Sequence, residues 1–283
     1  MILSRSLMCV AVFAAAGLAT AHAQLIAYDS FNYTVGGNLA GNTLAPGNTW
    51  GIQNTGTPPS VASGNLTVTG LTASAGNQVS MPGGNFQEAV LSYTAQSTGT
   101  IYFSFALSLS SQPTATSYSF GLNNNTSFAA TVWLQASGTG YKIGLGNRSS
   151  GTVPVYDSTE IALNQTVFLV GSYQIVSGAT NDVSSLWINP SAATFAAGAA
   201  PTATLVSTGG TDIGSVNSFL IRGAAGSPAG VFDELRIGTT WASVTPAATP
   251  VPEPSTYAAL AGAVALLGVM VQRRRRAAKS AAV

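Results

Sequence analysis

Between Gln24 and Pro246 the sequence predicts an all-β domain of two packed antiparallel sheets, and three observations carry that reading. Apolar residues recur with period two in many short runs. Gly-Asn, Gly-Gly and Ser-Gly pairs punctuate those runs. Helical periodicity is nearly absent from the whole span. Many strands at close spacing in one span of this length favour two packed sheets over a small barrel, and the span is long enough to bury one real core. No repeat of fixed period marks a solenoid.

The clearest strand is Thr100 to Leu109, where Ile101, Phe103, Phe105, Leu107 and Leu109 share one face and Ser104 and Ser108 lie on the other. One face is core; the other is wet or thinly covered. Further strands are expected at Glu88 to Tyr93, Ser117 to Leu122, Ala129 to Gln135, Tyr141 to Leu145, Val167 to Val176, Val183 to Ile188, Ser218 to Arg222 and Val231 to Ile237. The stretch Ala192 to Thr211, rich in Ala, Gly, Pro and Thr, reads as a long surface loop.

Both ends of the chain differ from this domain. At the start, Arg5 precedes an apolar stretch from Leu7 to Ala19, and Ala21-His22-Ala23 supplies a small-x-small pattern ahead of Gln24. Residues 1–23 therefore read as a secretory signal peptide cleaved after Ala23. The single Cys and the single His of the chain leave with it. A mature protein without them builds no Ser-His-Asp or Cys-His site, forms no disulfide and lacks the common zinc ligands. From Gln24 to Pro250 four basic residues stand against eight acidic ones, a formal charge of −4. That balance offers no basic patch for nucleic acid.

At the far end, residues 247–256 form a Pro-rich linker that contains Pro252-Glu253-Pro254. Residues 257–272 follow as an uncharged run in which Ala, Leu, Val, Gly and Met predominate, read as a short membrane-spanning helix. The run is brief for a bilayer. Arg273, Arg274, Arg275 and Arg276 decide for a span, because a cluster this dense holds its end on the cytoplasmic side and can snorkel to cover missing length. Residues 273–283 are then a cytoplasmic tail.

The order of Pro252-Glu253-Pro254, apolar helix and arginine cluster resembles the PEP-CTERM sorting signal of exported bacterial proteins. The resemblance covers Val251 to about Lys279. It implies a membrane-embedded, exosortase-like protease as partner, an inner-membrane precursor, and delivery to the cell surface or extracellular matrix of a Gram-negative-type bacterium. Two further stretches carry a second resemblance: Tyr28-Asp29-Ser30-Phe31-Asn32-Tyr33 with Trp50-Gly51, and Val231-Phe232-Asp233-Glu234-Leu235-Arg236-Ile237 running on to Trp241. They resemble the first and last strands of laminin-G-like, concanavalin A-like jelly-roll sandwiches. This implies that the two terminal strands pair within one sheet.

Candidate sites are few. Asp233 and Glu234 are adjacent carboxylates, but consecutive strand residues point to opposite faces and cannot converge on one sugar bond. Asp233 is expected on the face of Val231, Leu235 and Ile237, bonded to loop backbone, with Glu234 paired to Arg236 on the other face. No catalytic residue is assigned and no cofactor is expected. The domain reads as non-enzymatic, serving adhesion or exopolysaccharide association, with a sugar-binding lectin and then a glycoside hydrolase as the rival readings. The resemblance implies a structural calcium in some relatives, for which Asp29, Asp157, Asp182 and Asp212 are the available loop carboxylates; no Asp-x-Asp-x-Asp cluster supports one. For carbohydrate contact the residue types are exposed aromatics, although a sandwich buries most of its Trp and Tyr. Trp133 is the leading candidate, because strand parity sets it with Ala129 and Thr131 on a weakly apolar face. Trp187, which shares a face with Val183 and Ser185, and Tyr118 are the others.

Overall fold

The structure is a computed structural model that describes residues 24–44, 47–125, 127–148, 152–248, 265–270 and 272. Fifteen strands follow one another: β1 Leu25–Asp29, β2 Trp50–Ile52, β3 Ser60–Ala62, β4 Gln78–Met81, β5 Ala89–Gln96, β6 Gly99–Leu109, β7 Ser117–Asn123, β8 Phe128–Ser137, β9 Gly140–Arg148, β10 Val155–Tyr156, β11 Val167–Ile175, β12 Val183–Ile188, β13 Leu205–Thr208, β14 Val216–Ile221 and β15 Gly230–Gly238. One short helix, α1 Trp241–Val244, closes the domain. Every strand pairing is antiparallel.

Sheet I runs β13-β12-β11-β6-β15-β4-β3, with β1 lying beside the second half of β15. Sheet II runs β10-β9-β8-β7-β14-β5-β2. The two terminal strands do pair, β1 against β15, so the domain closes on itself. The alternation in β6 works as its sequence implies: Ile101, Phe103, Phe105, Leu107 and Leu109 all enter the core between the sheets. Phe105 is its hub, within 4.7 Å of Phe232 and 4.8 Å of Phe120, ring centre to ring centre. Gly171 in β11 leaves room for this packing, since a Cβ there would come within 2.1 Å of Phe103 Cζ.

The outer face of sheet I is covered rather than wet. Leu71, Phe168, Val170, Trp187, Phe195, Trp241 and Val244 form a second apolar cluster there, under the segments around Leu71 and Phe195. Ser104, expected on a thinly covered face, is buried and donates to the carbonyl of Val244. The expected surface loop Ala192 to Thr211 is part of this lid and is more ordered than its composition implies. It contains a 3-10 turn, Ala192–Thr194, and the whole of β13. Short elements of this kind are fixed by the partner strand rather than by local pattern.

Helix α1 starts with a reciprocal cap between Thr240 and Ser243 and is stapled by the Trp241 indole donating to Thr194 at 2.7 Å. The chain then crosses the lid: the Thr72 N–H donates to Pro246 at 2.9 Å, and the Ala248 N–H to Gly70 at 2.8 Å. Residues 24–248 thus hold both sheets, both apolar clusters and the closing helix. Residues 265–270 are helical and exposed, and take no part in that packing. The sandwich is a self-contained folding unit. Among the described residues no helix is long and apolar enough to cross a membrane. The expected signal peptide and most of the expected span over 257–272 lie outside the described residues.

Candidate functional site

The outer face of sheet II is partly uncovered: Tyr118, Trp133, Ser92 and Thr94 reach solvent there, whereas Thr131 and Leu220 are buried. Its register aligns side chains from four strands into one row: Tyr118 of β7 sits opposite Trp133 of β8, Trp133 opposite Gly144 of β9, and Gly144 opposite Tyr156 of β10. All three rings are half-buried. Tyr118 packs on Trp133 at 5.6 Å and on Phe128 at 5.3 Å, making one aromatic patch. The strands bury their other face, with Val132, Leu134, Ile143 and Leu145 in the core.

Two glycines make the row possible. A Cβ on Gly144 would lie 2.6 Å from the Tyr156 ring, and one on Gly146 would lie 2.7 Å from Trp133 Nε1. Both rings therefore settle over bare backbone. The Trp133 indole N–H is held by Thr131 Oγ1 at 3.0 Å, and the Thr131 hydroxyl donates in turn to Gly146 at 3.0 Å. At the other end of the row the Arg222 guanidinium stacks 4.2 Å from the Tyr118 ring centre, donates to the Tyr118 carbonyl, and pairs with Glu88 at 3.5 Å. Its charge is compensated in place. On the same face, towards β2, an open cleft of about 690 Å³ is lined by Asn48, Thr49, Gln53, Ser92, Thr94 and Asn125 over Ile52 and Val90. An aromatic patch beside uncharged amides and hydroxyls can stack on one face of a sugar ring and exchange hydrogen bonds with its hydroxyls.

Trp187 sits elsewhere. It is 6 % exposed, in the lid of sheet I, with its N–H donating to Pro201 and its ring 5.0 Å from that of Trp241. A buried indole offers no face to a ligand. Sequence reasoning missed Phe128, Tyr156, Arg222 and Glu88 because register, not local pattern, brings them beside Trp133. One signal was present: Ile143-Gly144-Leu145-Gly146 alternates core residues with glycine, which marks a face stripped of side chains.

The carboxylates require a correction. Asp233 does not share the face of Leu235 and Ile237, and it lies on the same face as Glu234. A β-bulge between Asp233 and Arg236 sets two residues of β15 against one of β6, with Glu234 at φ +60°. Phe232, Leu235 and Ile237 face the core, while Asp233, Glu234 and Arg236 all face the lid. Glu234 does pair with Arg236, and it also accepts from Tyr28 Oη at 3.1 Å. Asp233 does bond loop backbone, accepting from the Leu66 N–H at 2.8 Å. Burial pushes its carboxyl up to about 7. Both carboxylates are buried, so the pair shares a face but is enclosed by the chain's own groups.

The loop carboxylates fit a cation poorly. Asp29 accepts from the Phe31 N–H, the Tyr33 hydroxyl and the Trp50 indole; Asp182 from Tyr173 and the Val176 N–H; Asp212 from the N–H groups of Asn181 and Asp182. Each of these oxygens already accepts at least one hydrogen bond from the chain's own donors, which competes with a calcium ligand role. Among the described residues no three acidic, His or Cys side chains converge on one point.

Comparison with known proteins adds the last segment. Residues 250–276 match the PEP-CTERM protein-sorting motif. The chain therefore carries the sorting signal of an exported protein that is processed at a membrane. A search of curated sequences gives no match. Among solved structures the chain is similar to domain 4 of AbnA, a GH43 extracellular arabinanase from Geobacillus stearothermophilus, at 18 % identity over 83 % of this chain and 96 % of that one, TM-score 0.45. It is also similar to the T. cruzi calreticulin globular domain, at 10 % identity over 88 % and 100 %, TM-score 0.47. A third is the endo-β-1,4-glucuronan lyase of the fungus Trichoderma reesei, at 14 % identity over 76 % and 100 %, TM-score 0.42.

Proposed function

We propose that the PEP-CTERM protein is a non-enzymatic surface or matrix protein whose sandwich adheres to neutral exopolysaccharide through the outer face of sheet II. Its precursor would be held in the inner membrane by the apolar run over 257–272. An exosortase-like protease then acts at Pro252-Glu253-Pro254 and passes the domain outward. The observation that carries the adhesive role is the half-buried row of Tyr118, Trp133 and Tyr156, with Trp133 and Tyr156 seated over Gly146 and Gly144. The domain is net acidic and Arg222 is paired with Glu88, which favours a neutral ligand over a strongly anionic one; Lys142 and Arg148, at outward positions of β9, are the other cations on this face. A non-catalytic role is supported by the enclosure of Asp233 and Glu234.

The test uses the sandwich from Gln24 to Ala248 on gels cast with insoluble neutral polysaccharides. Retention is expected, and the double variant Tyr118→Ala/Trp133→Ala, with an unchanged melting curve, should lose at least tenfold in affinity. Equal retention of the variant, or no retention of the parent on any gel, would refute the reading.

A further inference from the structure

We propose that an open cavity in the lid of sheet I seats the chain's own Pro250-Val251-Pro252, and that this contact restrains the sorting motif until the protease takes it. This builds on the sorting role of Pro252-Glu253-Pro254; glycan binding plays no part in it. The cavity holds about 400 Å³ and is lined by Val68, Thr69, Thr166, Phe168, Ala192 and Phe195 among others. Phe168 and Phe195 are buried and form its base, while Thr69 and Ala192 are exposed at its margin. None of the described lining residues is charged.

The chain leaves the sandwich at the edge of this cavity. The Ala248 N–H donates to the Gly70 carbonyl at 2.8 Å. Gly70, at φ +83°, is wedged against the cavity lining: a Cβ there would lie 2.5 Å from Ala192 Cβ and 3.7 Å from Phe195 Cδ2. Val251 stands three residues beyond Ala248 in the sequence, at most roughly 11 Å of chain. A tether that short gives the segment a local concentration far above that of a free partner. Its chemistry also fits. Prolines at 250, 252 and 254 alternate with Val251 and Glu253, a pattern that favours a stiff polyproline conformation. Such segments lose little entropy on docking against aromatic side chains, and the Thr69 and Thr166 hydroxyls can donate to their carbonyls. With no cation in the lining, Glu253 stays outside, so Pro250 to Pro252 is the part that seats.

Backbone relaxation of the chain from Gln24 to Thr256, measured by NMR, decides the point. The Val251 amide is expected to have an order parameter of about 0.85, like that of a strand, and to fall below about 0.6 in Thr69→Arg, which sets a long charged side chain at the margin with an unchanged melting curve. Val251→Asp, which cannot unfold the sandwich, should free the segment in the same way. A Val251 amide already below about 0.6 in the parent would overturn the docking. Order that is lost on dilution would assign the cavity to the tail of a second copy instead. In cells that carry an exosortase, the full precursor with Thr69→Arg should be released at least twofold faster than the parent. Equal release would overturn the restraint, whereas no release of either chain would overturn processing at the motif beneath it.

Discussion

Asp233 binds its proton more tightly in the folded chain than in the unfolded one, because burial raises it from an ordinary 3.8 to about 7 against the opposing pull of two backbone N–H groups. The stability this contributes is complete below about pH 4 and is lost as pH climbs through about 7. Asp29 and Glu88 are raised by burial too, so they act in the same direction. The melting temperature is therefore expected to fall between about pH 4 and about pH 7. Asp233→Asn, which stays neutral, should flatten part of that fall, as a thermal scan at several pH values would report. A melting temperature that rose across the same interval would contradict the burial account. Residues of this sort are hard to read from sequence. Asp233-Glu234 looks like plain alternation until the bulge, with Glu234 at φ +60°, turns both side chains to one face. No local signal announces a bulge, because the extra residue is defined only against the partner strand.

At the level of elements, the lid on sheet I depends on a few apolar anchors rather than on length. Trp241 is the main one: its ring meets Trp187 at 5.0 Å and its N–H bonds Thr194. Trp241→Ala should cost about 3–5 kcal/mol by the usual scale for deleting a large buried aromatic. Denaturant unfolding measures it, and a loss below about 1 kcal/mol would mean that the lid packs without its anchor. The long strands β5, β6, β7, β8, β9, β11, β12, β14 and β15 were legible because each runs six residues or more and sends apolar side chains into the central core along one face, enough for alternation to show. Short strands such as β2, β3, β10 and β13 offer two to four residues, and neither alternation nor propensity acts over so small a window. The lid was read as loop for the same reason. Its apolar residues serve a covering role that has no period.

For the whole molecule, the proposed function assigns the two outer faces different roles. The chain leaves the sandwich from the lid of sheet I, through Pro246–Ala248, whereas the aromatic row lies on sheet II, across the full thickness of both sheets. The exit of the chain and the aromatic row therefore occupy different faces. Half of the candidate site was legible in advance: parity marked Trp133 as the ring on a weakly apolar face and Tyr118 stood out by residue type, while Phe128, Tyr156 and Arg222 became visible only through register across β7 to β10. That arrangement also supplies the most direct test of the adhesive role. The chain has four Trp; Trp50, Trp187 and Trp241 are 1 %, 6 % and 2 % exposed, which leaves Trp133 as the one half-exposed indole. Intrinsic fluorescence during titration with a neutral hexasaccharide should show a shifted, saturable Trp emission that Trp133→Phe abolishes. A response that survives Trp133→Phe, or no response to any neutral glycan that the protein retains, would contradict the account.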